Sequence, residues 1–262
     1  TRALQILPLK GNDAMSLKLT NVVFPGTGYK NISEFIVEDI FADLPNKSGL
    51  VGAYFLSSQV GSPLINYANL NIPLLKVGTP VVGSKYATTT TANYYDTQLP
   101  STSVMTEMGI SLPGADSQNG VLLANYSQSP ISGDTFQYYL GHAKAFGQMG
   151  TSIATADTTV STTDLPSGVL AVTGGVIKNA SVKSIAYDPT TDALVSSTES
   201  SAGRTVTTDR TLRIGTSYAT TQFTGGSSVS VVLLFNLELT DEQILANARW
   251  LKNTFGVQWG LW

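Results

Sequence analysis

Tyrosines in three segments, two of which also contain Asp or Asn, are the residues in this sequence whose types and spacing best fit a binding chemistry. The segments are the tripeptide that begins at Tyr94, the pair Asn125-Tyr126, and Tyr218, which flanks a loop. A sugar site combines an aromatic ring, which supplies apolar contact area, with polar side chains that orient the hydroxyl groups. The candidate carbohydrate-binding residues are Tyr94, Tyr95, Asp96, Asn125, Tyr126 and Tyr218. The alternative is that these tyrosines cap the edges of the fold or fill the space beneath loops, since exposed tyrosines are common.

Residues that could perform catalysis are scattered. A retaining glycosidase needs two carboxylates about 5–5.5 Å apart, whereas the glutamates of this chain form no cluster. His142 is the only histidine, and at the end of a strand-like segment it fits a surface or hydrogen-bonded role better than a Ser-His-Asp triad. No nucleophile elbow, phosphate-binding loop or string of metal-ligating Asp and Asn is present. We therefore expect no catalytic residues, no cofactor and no metal; if glycan cleavage were found, Asp96, Asp134 and Glu107 would be the residues to test.

The C-terminal segment, residues 257–262, is unusually apolar for a chain end and contains Trp259 and Trp262. An apolar segment of this kind must be covered. Its own domain or a neighbouring subunit could cover it, and both alternatives are open at the level of the sequence. Trp259 and Trp262 are therefore candidate contacts with a partner or a symmetry mate.

The composition indicates a β protein with few charges. Only 13% of the 262 residues are charged, and Ser and Thr are abundant, which suits a β-sandwich. The net charge of −3, without blocks of Lys and Arg, argues against nucleic acid as a partner. No apolar run approaches the roughly 18 residues of a membrane span, so we expect no membrane insertion. The absence of cysteine excludes disulfides and thiolate metal sites, and it fits folding in a reducing bacterial cytoplasm.

Turn residues divide the chain at about residue 46. Before this point, residues 15–23 alternate like a strand and residues 33–41 are helix-like, so residues 1–46 are predicted to form an N-terminal arm or attachment segment. After it, residues 47–262 read as one β-sandwich, in which residues 57–101 form long loops and residues 188–192 a hairpin turn. Two glycine-containing segments, at residues 147–150 and 174–175, are also predicted to be turns. The predicted strands are 50–56, 74–77, 104–112, 120–126, 135–142, 153–154, 168–172, 181–187, 194–197, 211–215 and 228–235.

The last predicted strand leads into a well-capped helix. Thr240 is the expected N-cap, and Gln243 completes a T-x-x-Q capping box. Asp241 and Glu242 fall in the first turn, where the helix dipole favours negative charge. Apolar residues then recur on one face, so an amphipathic helix is predicted over residues 240–255, packed on a sheet and ending at Gly256.

Two segments resemble concanavalin A-like (laminin G-like) jelly-roll domains. Residues 50–56, Leu-Val-Gly-Ala-Tyr-Phe-Leu, resemble the opening strand of that family. Residues 212–244 resemble its ending, in which a strand meets a helix of the pattern N-x-x-L-[ST]-[DE]-x-[EQ]-I. The resemblance covers about residues 49–257. It implies two antiparallel sheets of six or seven strands and the binding of a glycan or a partner.

The sequence lacks the motifs by which two groups within this family, the glycosidases and the metal-binding lectins, are identified. The acidic cluster E-x-D-x-x-E of the family's glycosidases and the metal ligands of legume-type lectins are missing. Domains of this kind occur in bacterial surface proteins and in bacteriophage tail and fibre proteins. The cysteine-free, Ser/Thr-rich composition resembles the bacteriophage members. The expected fold is therefore an all-β, antiparallel two-sheet jelly roll with a C-terminal amphipathic helix and a small N-terminal arm.

Three functional hypotheses follow. The first is a non-enzymatic bacteriophage virion protein of the tail-fibre or receptor-binding type, whose lectin-like domain binds a bacterial surface glycan. It would be assembled in the host cytoplasm and act outside the cell, with residues 1–46 contacting other virion proteins or symmetry mates in a homotrimer. The second is a capsid-decorating or tail-assembly protein whose sandwich is only a packing module. The third, the least favoured, is a polysaccharide-degrading enzyme.

Overall fold

The computed structural model describes residues 41–60, 62–112, 120–139, 142–149, 152–158, 170–201, 203–223 and 226–262. The chain divides into two compact units, Thr1–Asp39 and Ile40–Trp262, and every described residue belongs to the second. The strand predicted at residues 15–23 lies outside the described residues, as do all but the last residue of the helix predicted at 33–41.

Two antiparallel sheets form a sandwich, which confirms the predicted fold class. The described strands, in chain order, are β1 (Leu50–Phe55), β2 (Leu75–Val77), β3 (Val81–Val82), β4 (Ala87–Thr88), β5 (Tyr94–Pro100), β6 (Val104–Leu112), β7 (Gly120–Ala124), β8 (Ser127–Gln128), β9 (Ile131–Ser132), β10 (Thr135–Tyr139), β11 (His142–Met149), β12 (Ser152–Thr158), β13 (Ala171–Lys178), β14 (Ser181–Asp188), β15 (Ala193–Ser196), β16 (Ser200–Ser201), β17 (Thr211–Ile214) and β18 (Ser228–Phe235). Sheet A has the order β15-β14-β13-β6-β18-β4-β3, with β1 also paired to β18 and β16 to β14. Sheet B has the order β12-β11-β10-β7-β17-β5-β2, and β8 and β9 form a separate short hairpin.

The C-terminal helix confirms its prediction. Helix α1 (Asp241–Leu251) begins at the N-cap Thr240, and both hydrogen bonds of the capping box with Gln243 are present. The α-helix ends at Leu251, and a π-helical turn, Lys252–Gly256, follows it, so Gly256 is the last residue of that turn and does not end the α-helix. Gly256 is needed for packing, since a β-carbon there would lie 2.1 Å from Cζ3 of Trp262. In the described part of the chain no helix is long and apolar enough to span a membrane.

Sheet A lies between two apolar layers. One core fills the space between the sheets and includes Tyr54, Tyr95 and Phe136. A second core lies between sheet A and α1, and includes Phe55 and Ile244. Because β18 is covered on both faces, all of its residues after the first are buried, as its continuous apolar run requires.

Several predicted turns and loops are strands. The segment predicted as loops at residues 57–101 contains β5, which pairs with β17 and β2 inside sheet B. Residues 147–149 lie in β11, and Gly174 and Gly175 lie in β13. A β-carbon at Gly175 would lie 2.8 Å from Cβ of Ala145 in sheet B, so this glycine allows close approach of the sheets and does not mark a turn. The strand predicted at 135–142 is two strands, and His142 begins the second of them. The hairpin turn predicted at 188–192 does connect β14 to β15.

Residues 41–46, which were predicted as the end of the arm, pack on the helix side of the sandwich. The Phe41 ring lies 5.5 Å from that of Phe55 and 5.7 Å from that of Trp250, between centroids. Asn46 accepts a hydrogen bond from Nδ2 of Asn247 and donates its backbone N–H to Oδ1 of the same side chain, at 2.9 and 3.0 Å. The predicted boundary at residue 46 therefore falls within the second compact unit, which begins at Ile40.

The apolar C-terminal segment covers its own domain. Trp259 is 8% exposed, and its ring lies 5.8 Å from that of Phe55 and 5.2 Å from that of Phe255. The indole N–H of Trp262 donates to the carbonyl of Leu170 at 2.6 Å. Of the two alternatives left open by the sequence, the structure favours packing within the chain. The partner contact predicted for Trp259 and Trp262 stays a prediction, with Trp259 mostly covered by its own chain and Trp262 38% exposed.

Candidate functional site

Two neighbouring strands of sheet B project polar and aromatic side chains away from the core. Strand β5 carries Tyr94 and Asp96 on this outer face, and its neighbour β17 carries Thr211 and Arg213, all of them partly exposed. Arg213 pairs with Asp96 in the register of the two strands. The residues that alternate with these face the opposite way and are buried: Tyr95, Thr97, Leu212 and Ile214. The period of two along a strand thus gathers four candidate binding residues on one surface.

Hydrogen bonds fix the carboxylate of this surface. Thr211 Oγ1 donates to Asp96 Oδ2 at 2.8 Å, and the Tyr218 hydroxyl lies 3.2 Å from the same Thr211 oxygen. Since the Thr211 hydrogen is directed to the carboxylate, the Tyr218 hydroxyl is the donor to Thr211. Asp96 Oδ1 accepts from the backbone N–H of Gln98 at 2.8 Å. Both carboxylate oxygens are therefore used within the protein.

The guanidinium of Arg213 makes cation–π contacts with two aromatic rings. Its central carbon lies 3.4 Å from the ring centroid of Tyr218 and 4.7 Å from that of Tyr94. Its Nη1 lies 3.5 Å from the carbonyl of Ser217, at the limit of a hydrogen bond. Its Nε lies 3.9 Å from Asp96 Oδ2 and has no hydrogen-bond partner in the described part of the protein. The two rings thus contact the guanidinium, while its Nε and Nη1 donors lack short hydrogen bonds in the described residues.

A pocket of about 510 Å³ opens beside this guanidinium. It is lined by Thr91, Arg213, Thr216, Ser217, Tyr218, Ala219 and Thr220. The loop that carries most of these residues is held by the side chain of Gln128 on β8, whose Oε1 accepts from the backbone N–H groups of Thr220 and Thr221 at 3.2 and 3.0 Å. A small polar ligand would meet hydroxyl groups, a tyrosine and a guanidinium there, which are groups that bind sugar hydroxyls or an anion.

The structure brings three of the six predicted sugar-binding residues together, namely Tyr94, Asp96 and Tyr218. Tyr95 is fully buried in the core between the sheets, and burial raises the pKa of its hydroxyl. Tyr126 is 3% exposed, with its hydroxyl donating to Oε1 of Gln222 at 2.9 Å. In these two positions the ring fills space inside the fold, as in the alternative interpretation of the tyrosines.

Asn125 is also fully buried, in a polar network beneath the surface. Its Nδ2 donates to Oγ of Ser101 at 2.8 Å, and its Oδ1 accepts from the backbone N–H of Asp134 at 2.8 Å. Ser101 donates in turn to Asp134, which forms an ion pair with Arg204. The amide of Asn125 is therefore occupied by structural hydrogen bonds and does not reach the surface.

The three carboxylates that an enzyme would be expected to use do not share a surface. Asp134 is 1% exposed in its ion pair, and Glu107 is fully buried between the sheets. Asp96 alone lies at the candidate site. Among the described residues no three His, Asp or Glu side chains are grouped as a metal ion would require.

Arg213 is the charged residue of the candidate site that the sequence interpretation did not select. The signal that could have found it is the alternation in residues 211–214, which sends Leu212 and Ile214 inward and Arg213 outward. The sequence did not show that β5 lies beside β17, because the residues of β5 were predicted to form a loop.

Comparison with known proteins was made for sequence and for structure. No protein-family model matches the chain, and no curated protein sequence matches it. Similar solved structures include a mutant of Trypanosoma rangeli sialidase displaying trans-sialidase activity, with a TM-score of 0.52 and 11% identity over 79% of this chain and 33% of that one. The receptor binding domain of botulinum neurotoxin D has a TM-score of 0.53 and 8% identity over 78% of this chain and 54% of that one. The binding domain of botulinum neurotoxin DC, in complex with SialylT, has a TM-score of 0.53 and 9% identity over 79% of this chain and 52% of that one.

These similarities establish the fold alone, because every identity is far below 25%. The chain spans about a third to a half of the length of these proteins. Their sandwich architecture agrees with the two antiparallel sheets described above. The chain therefore has a lectin-like, jelly-roll β-sandwich fold.

Proposed function

We propose that this chain is a non-enzymatic bacteriophage virion protein, of the tail-fibre or receptor-binding type, whose sandwich binds a carbohydrate of the bacterial surface. The observation that carries the carbohydrate part is the pocket beside Arg213, which combines a guanidinium, a tyrosine and several hydroxyl groups on one surface. Two of the similar structures are a receptor binding domain and a binding domain in complex with SialylT, which supports a glycan as the type of ligand. The virion part rests on the resemblance of the sequence to bacteriophage domains and on its cysteine-free composition.

The structural alternative is a capsid-decorating or tail-assembly protein, which apolar residues of the N-terminal arm and of the C-terminal segment suggested. In the C-terminal segment, Trp259 packs on Phe55 and Phe255 of its own domain, whereas Trp262 is 38% exposed. Because the candidate pocket gives glycan binding a defined site, glycan binding is the proposal to test first.

The test is binding of the protein to a glycan array and to lipopolysaccharide from candidate host bacteria. Tyr218→Ala removes the ring that contacts Arg213 and should weaken binding at least about tenfold, because both the cation–π contact and the pocket wall are lost. Trp262→Ala is the aromatic control, since Trp262 is partly exposed but packs near Leu170 and Gly256, outside the pocket. Silence of the wild-type protein on every surface polysaccharide of its host would overturn the proposal. Shortening of the polysaccharide during incubation with the protein would show that the protein is an enzyme and not only a binder.

A further inference from the structure

We infer that the pocket selects glycans that carry an anionic group, a carboxylate or a phosphate, and that Arg213 contacts this group. The inference rests on the proposed function and names the class of sugar that the same site takes. It is based on the position of Arg213, which lines the pocket with its side chain 20% exposed and makes only a long ion pair, 3.9 Å, with Asp96.

The terminal nitrogens of the guanidinium are the donors that a ligand could use. An Arg side chain donates hydrogen bonds in the plane of the guanidinium and not through its faces. The Nε of Arg213 is buried on the side of Asp96, whereas Nη1 makes only a 3.5 Å contact with the carbonyl of Ser217. An oxyanion in the pocket would be bound by the terminal nitrogens, and a bidentate contact with two oxygens is the geometry that this group forms best.

The local charge also favours an anion. Arg210 lies on the same tyrosine, with its central carbon 5.7 Å from the ring centroid of Tyr218. Asp96 is the carboxylate nearest to Arg213 among the ion pairs described, and both of its oxygens already accept hydrogen bonds from Thr211 and Gln98. Two cations thus contact the ring of Tyr218, which lines the pocket. The described residues that line the pocket include no Asp or Glu, so an entering anion would meet no like charge at its wall.

The experiment uses an array of matched pairs, each an anionic glycan and its neutral parent. One arm carries carboxylates (oligogalacturonate and N-acetylneuraminic acid conjugates), and the other carries phosphate (mannose 6-phosphate conjugates), so the arms distinguish the two sources of the anion. We expect the wild-type protein to prefer the anionic member of at least one arm by about 10- to 100-fold, the range of a charge-assisted hydrogen bond. Raising the salt from about 0.05 to about 0.5 M should weaken this preference.

Three variants separate charge recognition from a structural role of Arg213. Arg213→Gln should abolish the preference for the anionic member, whereas Arg213→Lys should keep part of it because the charge remains. Gln128→Ala loosens the same loop without removing a charge, so it should weaken both members of a pair equally. A thermal melt of each variant checks that it is folded.

Each result has a distinct meaning. Equal binding of anionic and neutral members by the wild-type protein, or an unchanged preference in Arg213→Gln, overturns this inference and leaves glycan binding intact. Binding of neither member anywhere on the array, with no binding to host polysaccharide, overturns the proposed function together with the inference.

Discussion

At the scale of single residues, the interior of the sandwich contains an unpaired carboxyl group. Glu107 on β6 is fully buried, and neither of its side-chain oxygens has a hydrogen-bond partner in the described part of the protein. Burial raises the pKa of Glu107 well above its usual value. An ionised carboxylate in this position would be very costly, so the group is expected to be neutral where exposed glutamates are charged.

This placement predicts a loss of stability as the pH rises. Between the pKa of Glu107 in the unfolded chain and its raised pKa in the fold, the native state binds more protons, so the free energy of unfolding falls by up to about 1.4 kcal/mol per pH unit. Glu107→Gln cannot ionise and should lack this slope, so the stability of this variant relative to wild type should increase as the pH rises above the usual pKa of a glutamate. Urea denaturation at several pH values measures the slope. Glu238→Gln, at an exposed position, should retain it, and a wild-type slope identical to that of Glu107→Gln would contradict the prediction.

The buried ion pair of Arg204 and Asp134 differs from Glu107, because its charged groups are paired with each other. Arg204 donates from Nε and Nη2 to the two carboxylate oxygens of Asp134, both at 2.7 Å, and the two side chains are 1% and 2% exposed. Arg204 also donates to the carbonyls of Thr102 and Ser103 at 2.8 and 3.1 Å. This network explains why the polar residues around Asn125 are structural and unavailable to a ligand.

Removing one member of this pair should therefore strongly destabilise the fold. Arg204→Met leaves the carboxylate of Asp134 buried without its cation, which costs about 3–5 kcal/mol in comparable pairs. Arg249→Met is the matched control, because Arg249 makes a similar contact with Asp192, at 2.8 Å, on the exposed surface of α1. Chemical denaturation should show a large loss for the first variant and a much smaller one for the second. Equal losses would show that burial does not set the strength of these pairs.

At the scale of elements, the features predicted correctly are those that neighbouring residues in the sequence encode. The capping box at Thr240 and the apolar run of β18 are contained in short stretches of sequence, and both were predicted correctly. Strand β5 was missed because its residues, from Tyr94 to Pro100, alternate only weakly in hydrophobicity and their partners in β17 and β2 lie far along the chain. The same non-local pairing creates the candidate site, so the sequence suggested Tyr94, Asp96 and Tyr218 but not their convergence on Arg213.

The C-terminal segment gives a prediction at the element scale. Trp259 fills the layer between sheet A and the helical segment, so Trp259→Ala should cost about 3–5 kcal/mol of stability, as for other large buried aromatics. Trp262, at 38% exposed, should matter less. Thermal unfolding and light scattering after size exclusion separate the two possible roles of the segment. A variant of Trp259 that keeps its stability but changes its oligomeric state would support the partner contact that the sequence suggested.

At the scale of the whole molecule, the layers decide which surface is available to a ligand. Sheet A is covered by sheet B on one face and by α1 on the other, so its central strands are buried throughout. The outer face of sheet B at β5 and β17 carries the partly exposed Tyr94, Asp96, Thr211 and Arg213. Because α1 covers sheet A, the candidate site lies on the outer face of sheet B. Assembly into a homotrimer remains a prediction, because the layers described here belong to a single chain.

The unit that begins at Ile40 should fold and bind glycans without the preceding residues. Phe41 and Leu44 are 3% and 4% exposed in the core beneath α1, so a fragment of residues 40–262 keeps this core complete. A fragment of residues 47–262, which follows the boundary suggested by the sequence, lacks both side chains and the hydrogen bonds of Asn46 to Asn247. It should be less stable by about 3–5 kcal/mol or more, the cost of deleting one buried phenylalanine. Phe41→Ala in the longer fragment should reproduce much of this loss in a thermal or urea melt. Equal stability of the two fragments would instead place the domain boundary after residue 46.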